Sequence, residues 1–275
     1  MNNPLSNNPL SLPEPDYGHS FADVYDKWYA NVSDAAATAR YINAIATGTT
    51  SRNVLELGVG SGRVALPIAR KGLAVTGVDS SQAMLDLLAA KADSSTVRSL
   101  LGDMAVVDEL VEQHLGKQHF GVVVVTFNTL FNLASPERQL RCLQGVARVL
   151  ADDGSFVVEA FVPDVLGSDT PGSSVPRSES MLRRELSPTR VTRDSLVLSA
   201  TEHDLVKQTV LGQHVEITEA GIRLRPWEIR YMTPTQLDEM AAKAGLILAE
   251  RHAGWAGEPF TADSGVHVSR YVLAG

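Results

Sequence analysis

The chain has 275 residues, 44% hydrophobic and 20% charged, with a formal net charge of −8. That is a globular composition with length for one large domain or two small ones, and the acidity argues against a dedicated nucleic-acid binder, which needs a basic surface to displace phosphate counterions. The lone Cys142 rules out an intrachain disulfide or a thiolate metal cluster and fits a reducing cytoplasm. No apolar run approaches the ~20 residues of a membrane span, and the first residues show no basic-then-apolar leader.

Residues 1–17, with four prolines among Asn and Ser, read as a tail without a packed structure. Phe21, Val24, Tyr25, Trp28 and Tyr29 then recur at three and four, one face of a helix over 21–30. Ser33 is placed to cap a helix over 34–46. After Gly48 the period changes. NVLEL (53–57) is a short strand running into the glycine-rich GVGSG. A helix over 63–71, a strand over 73–78 ending at Asp79, a helix over 81–91 and a strand over 96–101 follow. FGVVVVTF (120–127) is a fourth strand, and Ser135-Pro136 opens a helix that Gly154 stops before a fifth strand over 155–161. Strands alternating with helices predict an α/β, doubly wound parallel sheet covered on both faces.

The alternation then breaks. Residues 167–180 read as a loop, and residues 190–232 alternate apolar and polar side chains as antiparallel strands turning at Glu219-Ala220-Gly221. Thr233-Pro234-Thr235-Gln236 is a capping box with proline at the first helical position, opening a helix to Lys243. Residues 246–251 and 267–273 form a closing strand pair.

The informative segment is VLELGVGSGR. Gly58, Gly60 and Gly62 lie between a strand and a helix, where glycines permit a sharp turn and close approach of a ligand to the backbone. A dinucleotide-binding fingerprint needs a small residue at 63, which is Arg63, so the G-x-G-x-G spacing disfavours a pyrophosphate. Asp79 ends the second strand twenty-one residues after Gly58 and can accept both hydroxyls of a ribose, cap the next helix, or both. Asp103, in Gly102-Asp103-Met104 at the end of the third strand, can accept a hydrogen bond from the exocyclic amine of a base with Met104 against the ring.

Glu56-x-Gly58-x-Gly60-x-Gly62, Asp79 and Gly102-Asp103-Met104 together resemble the signature motifs of class I S-adenosylmethionine-dependent methyltransferases, over residues 53–161. The resemblance implies a Rossmann-like seven-stranded, mostly parallel sheet of order 3-2-1-4-5-7-6 with an antiparallel last strand. It implies S-adenosylmethionine as cofactor: the glycine loop under its amino-acid part, Asp79 at the ribose, Asp103 and Met104 at the adenine, Phe127 near the cofactor with Asn128 and Thr129, Arg63 pairing with its carboxylate, and Glu56 and Ser80 among the cofactor-binding residues. Tyr25-Asp26-x-x-Tyr29 resembles a glycine and amino-sugar N-methyltransferase subgroup in which tyrosines close over the cofactor; the same residues also suit the buried stripe of an amphipathic helix. A rival enzyme class is an NAD-dependent oxidoreductase, disfavoured by Arg63. A non-enzymatic rival is a catalytically silent cofactor-binding sensor or partner protein.

The fourth strand is followed by Phe127-Asn128-Thr129-Leu130, with neither the cysteine of pyrimidine-carbon methylation nor the Asn/Asp-Pro-Pro-aromatic signature of amino-group methylation on bases or glutamine. With the acidic balance, a small-molecule acceptor for N- or O-methylation is expected, with no nucleic acid or membrane as partner and a homodimer compatible with the sequence. The expected organisation is a tail (1–17), a methyltransferase domain (18–165 and 233–275) and a loop with an antiparallel substrate lid (166–232). Asn128, Arg223, Arg225, Trp227 and Tyr231, with His214 and Glu216 before the turn, are the acceptor-side candidates. Seven scattered histidines carry no ligand spacing, so no metal is expected, and no catalytic residue is singled out.

Overall fold

A computed structural model describes residues 16–29, 32, 34–91, 93–163 and 182–275. The expected tail up to residue 15, Ser33 and the 167–180 loop lie outside these residues, whereas residues 16–17, expected in the tail, begin a helix, and the cap expected from Ser33 is supplied by Asp34. The chain order is α1 (Asp16–Phe21), α2 (Tyr25–Trp28), α3 (Ala35–Ala46), β1 (Asn53–Leu57), α4 (Ala65–Ala69), β2 (Ala74–Asp79), α5 (Gln82–Ala89) and β3 (Val97–Leu101). It continues with α6 (Val107–Leu115), β4 (Phe120–Val125), α7 (Pro136–Val149) and β5 (Leu150–Phe161). Four strands β6 (Leu182–Val191), β7 (Ser195–Asp204), β8 (Thr209–Thr218) and β9 (Gly221–Arg230) follow, then α8 (Pro234–Lys243), β10 (Leu246–His252) and β11 (Val266–Leu273).

The large sheet has the order β3-β2-β1-β4-β5-β11-β10. β1 pairs in parallel with both β2 and β4, and β11 runs antiparallel to β5 and β10. With β10 and β11 as sixth and seventh strands of this sheet, that is the expected 3-2-1-4-5-7-6 order. β4 is buried throughout, as its β-branched run requires. One face of the sheet carries Ile42, Ile68 and Leu88 from α3, α4 and α5; the other carries Val111, Leu143, Val146 and Leu237 from α6, α7 and α8. Two helix-on-sheet layers therefore fix the sheet from both sides.

The elements start where side chains can satisfy their free N–H groups. Asp34 caps α3, Ser81 caps α5, Ser135 caps α7, and Thr233 with Gln236 completes a reciprocal capping box on α8. The single helix expected over 21–30 is two short helices. The chain turns at residues 22–24, which buries both Phe21 and Val24 and aims the Asp23 carboxylate at Arg225. The small sheet has the order β6-β7-β8-β9. Strand β6 was not expected. It is an edge strand with Arg183, Arg184, Glu185 and Pro188 and a register shift between Pro188 and Arg190, features that blunt an edge and erase an alternating pattern.

Phe156 on β5 is fully buried and faces Tyr271 of the antiparallel β11. Phe156→Ala should lower unfolding free energy by about 3–5 kcal/mol in denaturant titration, the usual range for truncating a core aromatic. A loss below about 1 kcal/mol would show that this junction is not core.

Candidate active site

The first three strands end side by side, and their exits build one wall. Gly58, Gly60 and Gly62 all take positive φ (70°, 53° and 80°), so the loop after β1 needs glycine for its backbone path. The N–H groups of Gly58 and Val59 both donate to the Val78 carbonyl, at 2.8 and 3.0 Å, tying the loop to β2. The Asp79 carboxylate accepts from Gly60 N–H at 2.8 Å and Ser81 N–H at 2.9 Å. A carboxylate offers about four acceptor positions, so two remain for another donor pair. Burial pushes the Asp79 carboxyl upward against these two backbone bonds. Ser81, not Asp79, supplies the α5 cap. Asp103 repeats the pattern one strand on: it accepts from Ala105 N–H at 2.8 Å and from Arg138 at 2.9 Å.

The short α2 is moored over this wall. Ser61 donates to Asp26 at 2.5 Å, and Lys91 reaches both the Asp26 carboxylate and the Ser61 carbonyl. This holds Tyr25 beside Gly60. Tyr29 lies 5.0 Å from Tyr25 between ring centroids, and Phe127 lies 5.8 Å from Tyr29. The Arg63 guanidinium sits 5.5 Å from the Phe127 ring centre. Phe127 and Asn128 themselves carry φ of 51° and 63°, two consecutive non-glycine residues in the left-handed region, which costs on the order of 1–3 kcal/mol each.

These parts enclose a cavity of about 400 Å³. Tyr25, Gly58, Gly60, Asp79, Ser80, Asp103, Met104 and Thr129 line it, together with Trp227 from the small sheet. Tyr29, Glu56, Arg63 and Phe127 do not line it but form the layer behind Tyr25 and the glycine loop. Gly62 is placed elsewhere, where a β-carbon would strike Leu88. Sequence reasoning missed Tyr17, Met84, Arg138 and Glu228, which also line the cavity. Arg138 had one available signal: a cation in the first turn of a helix opposes the helix dipole and needs a local reason, here Asp103.

The acceptor-side candidates separate. Strand β9 lies over the cavity mouth through Pro226, Trp227 and Glu228. Gly212 opposite Trp227 leaves room for the indole, whose N–H donates to His214 Nδ1 at 2.8 Å. His214 is therefore held neutral in this contact, and burial lowers its pKa. Arg225 does not reach the cavity. It is fully buried, bonded to the Ser20 carbonyl, to Asp23 at 2.6 Å and to Glu216 at 2.8 Å, and lies 5.2 Å from the centre of the Trp28 ring. Arg223 pairs with Asp23 on the surface, and Tyr231 is buried against Phe161. The Asn128 carboxamide oxygen accepts from Phe161 N–H at 2.7 Å. Arg223, Arg225 and Tyr231 thus serve the lid's attachment, because their charges and rings find partners within the fold. Among the described residues no cluster of His, Cys, Asp and Glu could hold a metal ion.

Glu56, near the end of β1, is strongly displaced from its ordinary state. It is buried, its Oε2 has no hydrogen-bond partner, and burial pushes its pKa up to about 8 against the pull of Arg63. The folded state therefore holds a proton that the unfolded chain releases near 4.5. Stability of the ligand-free protein should fall as pH rises from about 4.5 to about 8 and level off above, the sign required when the native state binds more protons. Glu56→Gln should remove that part of the slope in denaturation curves recorded across this range; an unchanged slope would show that Glu56 is ionised in the fold.

The comparisons with known proteins agree with this architecture. Residues 54–154 match a family model described as a methyltransferase domain. The CcbJ methyltransferase from Streptomyces caelestis is 36% identical, with a TM-score of 0.82 over 96% of this chain and 100% of its own. The cypemycin N-terminal methyltransferase of a Streptomyces species is 25% identical over 90% of this chain and 94% of its own. The sugar N-methyltransferase KedS8 from Streptoalloteichus shares the fold at 17% identity, with a TM-score of 0.60. Sheet order, glycine loop and strand-end acids together with these relatives establish that the chain belongs to the class I S-adenosylmethionine-dependent methyltransferases.

Proposed function

We propose that this enzyme methylates a small, amine-bearing molecule held between the sheet's carboxyl edge and the β6–β9 lid. The observation that carries the reading is the joint wall: strand-end acids on one side of a single cavity, Trp227 and Glu228 of the lid and Tyr17 and Tyr25 of the N-terminal segment on the other. The residues fit S-adenosylmethionine. Asp79 retains two acceptor positions for ribose hydroxyls, Asp103 retains two for an adenine amine, and Met104 offers an apolar face. The unpartnered Glu56 Oε2 lies behind the glycine loop, where a cationic amino group would supply the missing donor. Tyr25, Tyr29, Arg63, Ser80 and Phe127 complete the set, with Gly62 acting through packing.

Bound S-adenosylmethionine supplies a sulfonium methyl open to in-line displacement, so the protein's share is positioning and exclusion of water. Tyr17 and Tyr25 are raised above ordinary tyrosines mainly by burial and stay neutral donors. The Trp227 ring gives the acceptor side an aromatic face, which attracts a basic amine. The cypemycin relative, by its name, acts at an N-terminus, which supports nitrogen over oxygen as the acceptor atom.

Two further readings belong here. The lid face opposite Trp227 carries Leu186, Leu198, Val215, Ile222 and Leu224, with Leu186, Ile222 and Leu224 exposed among the described residues, which supports a homodimer. The negative net charge supports the absence of a nucleic-acid partner, and the buried thiol of Cys142 supports a cytoplasmic site of action.

Asp79→Ala should weaken S-adenosylmethionine binding by about 1–3 kcal/mol in calorimetry, the range for lost hydrogen bonds to a charged group. Unchanged affinity in the folded variant would remove Asp79 from the site. Incubating the enzyme and S-adenosylmethionine with a panel of small amines, phenols, carboxylates and aminosugars should give N-methyl products by mass spectrometry. Transfer confined to phenols or carboxylates would overturn the amine assignment.

A further inference from the structure

We infer that Glu159 is a positioning residue, whose buried carboxylate holds the loop after β4 in its left-handed path and so sets the wall at the methyl-donor end of the cavity. The inference rests on the proposed placement of Phe127 beside the cofactor. Glu159 follows Val158, which pairs with Val125, the last residue of β4. Phe127 and Asn128 then turn through positive φ, a path that a phenylalanine seldom takes unaided.

One residue captures both turn amides. Glu159 Oε2 accepts from Phe127 N–H at 2.9 Å, and the Glu159 carbonyl accepts from Asn128 N–H at 3.2 Å. The Asn128 carboxamide returns to Phe161 N–H, closing the loop against β5. The second carboxylate oxygen, Oε1, accepts from the Trp255 indole at 2.8 Å. Trp255 comes from the connection between β10 and β11, is buried, and packs edge-on against Tyr41. The carboxylate is thus the shared acceptor of two donors that approach from different parts of the chain. A carboxylate suits this because it is acceptor-only at both oxygens; a carboxamide can serve one donor and must turn an NH₂ group toward the other. Beyond the turn, Thr129 lies against Gly58, at a distance no β-carbon could share, and lines the cavity. Glu159 acts through this loop: its carboxylate sets the path from which Phe127 reaches Tyr29 and Arg63.

The test compares binding of S-adenosylmethionine, which is cationic at sulfur, with S-adenosylhomocysteine, which is neutral there, by calorimetry on the full chain. Phe127→Leu and Glu159→Gln should each weaken S-adenosylmethionine by about threefold to tenfold, the reach of one cation–ring contact, because Phe127 supports Tyr29 and through it the Tyr25 ring that lines the cavity, and should leave S-adenosylhomocysteine within about twofold. Adding Trp255→Phe to Glu159→Gln removes the indole donor, lets the carboxamide oxygen turn to Phe127 N–H, and should restore the preference. Equal loss of both ligands in Glu159→Gln, or no recovery in the double variant, would overturn the inference, as a purely structural role predicts. If Phe127→Leu shifts the preference and Glu159→Gln does not, the positioning role fails while the Phe127 placement stands. If Phe127→Leu leaves the preference unchanged, the placement and the inference fail together. Should Glu159→Gln not fold, the double variant must fold and bind with the wild-type preference, or the inference is lost.

Discussion

The site depends on the Asp79 carboxylate standing between two backbone amides, Gly60 N–H on the loop after β1 and Ser81 N–H ahead of α5. β1 and β2 are adjacent parallel strands, so their exits emerge at the same edge of the sheet. Three alternate glycines at positive φ leave that edge few side chains to pin it without such a bridge. The two bonds instead join the turn and the next helix start to one side chain. The same side chain lines the cavity. Burial raises the Asp79 pKa against the opposing pull of those two amides.

The rest of the cavity is hung on this edge by charge. Asp26, Ser61 and Lys91 clamp α2 onto the glycine loop. Arg225 joins α1 to the lid through Ser20, Asp23 and Glu216 with its guanidinium over Trp28. Arg225 is the buried member while Asp23 and Asp26 stay about half exposed, so the arrangement specifies one docking of lid and N-terminal segment more than it adds net stability. The same docking brings Tyr17, Tyr25 and Trp227 to one mouth. Water exclusion and orientation of an acceptor follow from that closure, which suits a displacement governed by geometry.

Much of this was legible in the sequence, for definable reasons. Period changes and caps marked the alternating strands and helices along the chain, the sheet order came from the family resemblance, and Gly58, Gly60, Asp79 and Asp103 stood out because chemistry at strand ends needs those residue types at those spacings. Strand β6 was hidden because an edge strand carries charge and proline where an interior strand carries alternation. The break at residues 22–24 left the three-and-four spacing intact and showed only in Asp23 turning to Arg225. Arg223, Arg225 and Tyr231 shared strand parity with Trp227, yet parity gives a face and not a partner; Asp23 and Glu216 claim the arginines. Glu159 was illegible for the same reason, since its two donors lie thirty-two and ninety-six residues away along the chain.

A crystal structure of the protein with S-adenosylhomocysteine tests the central claim most directly. The account predicts the ribose hydroxyls within hydrogen-bond reach of Asp79, the adenine amine at Asp103 beside Met104, and the sulfur turned toward Phe127 below the lid. A ligand seated elsewhere, or one bound at this edge with Asp79 still engaged only by Gly60 and Ser81, would contradict it.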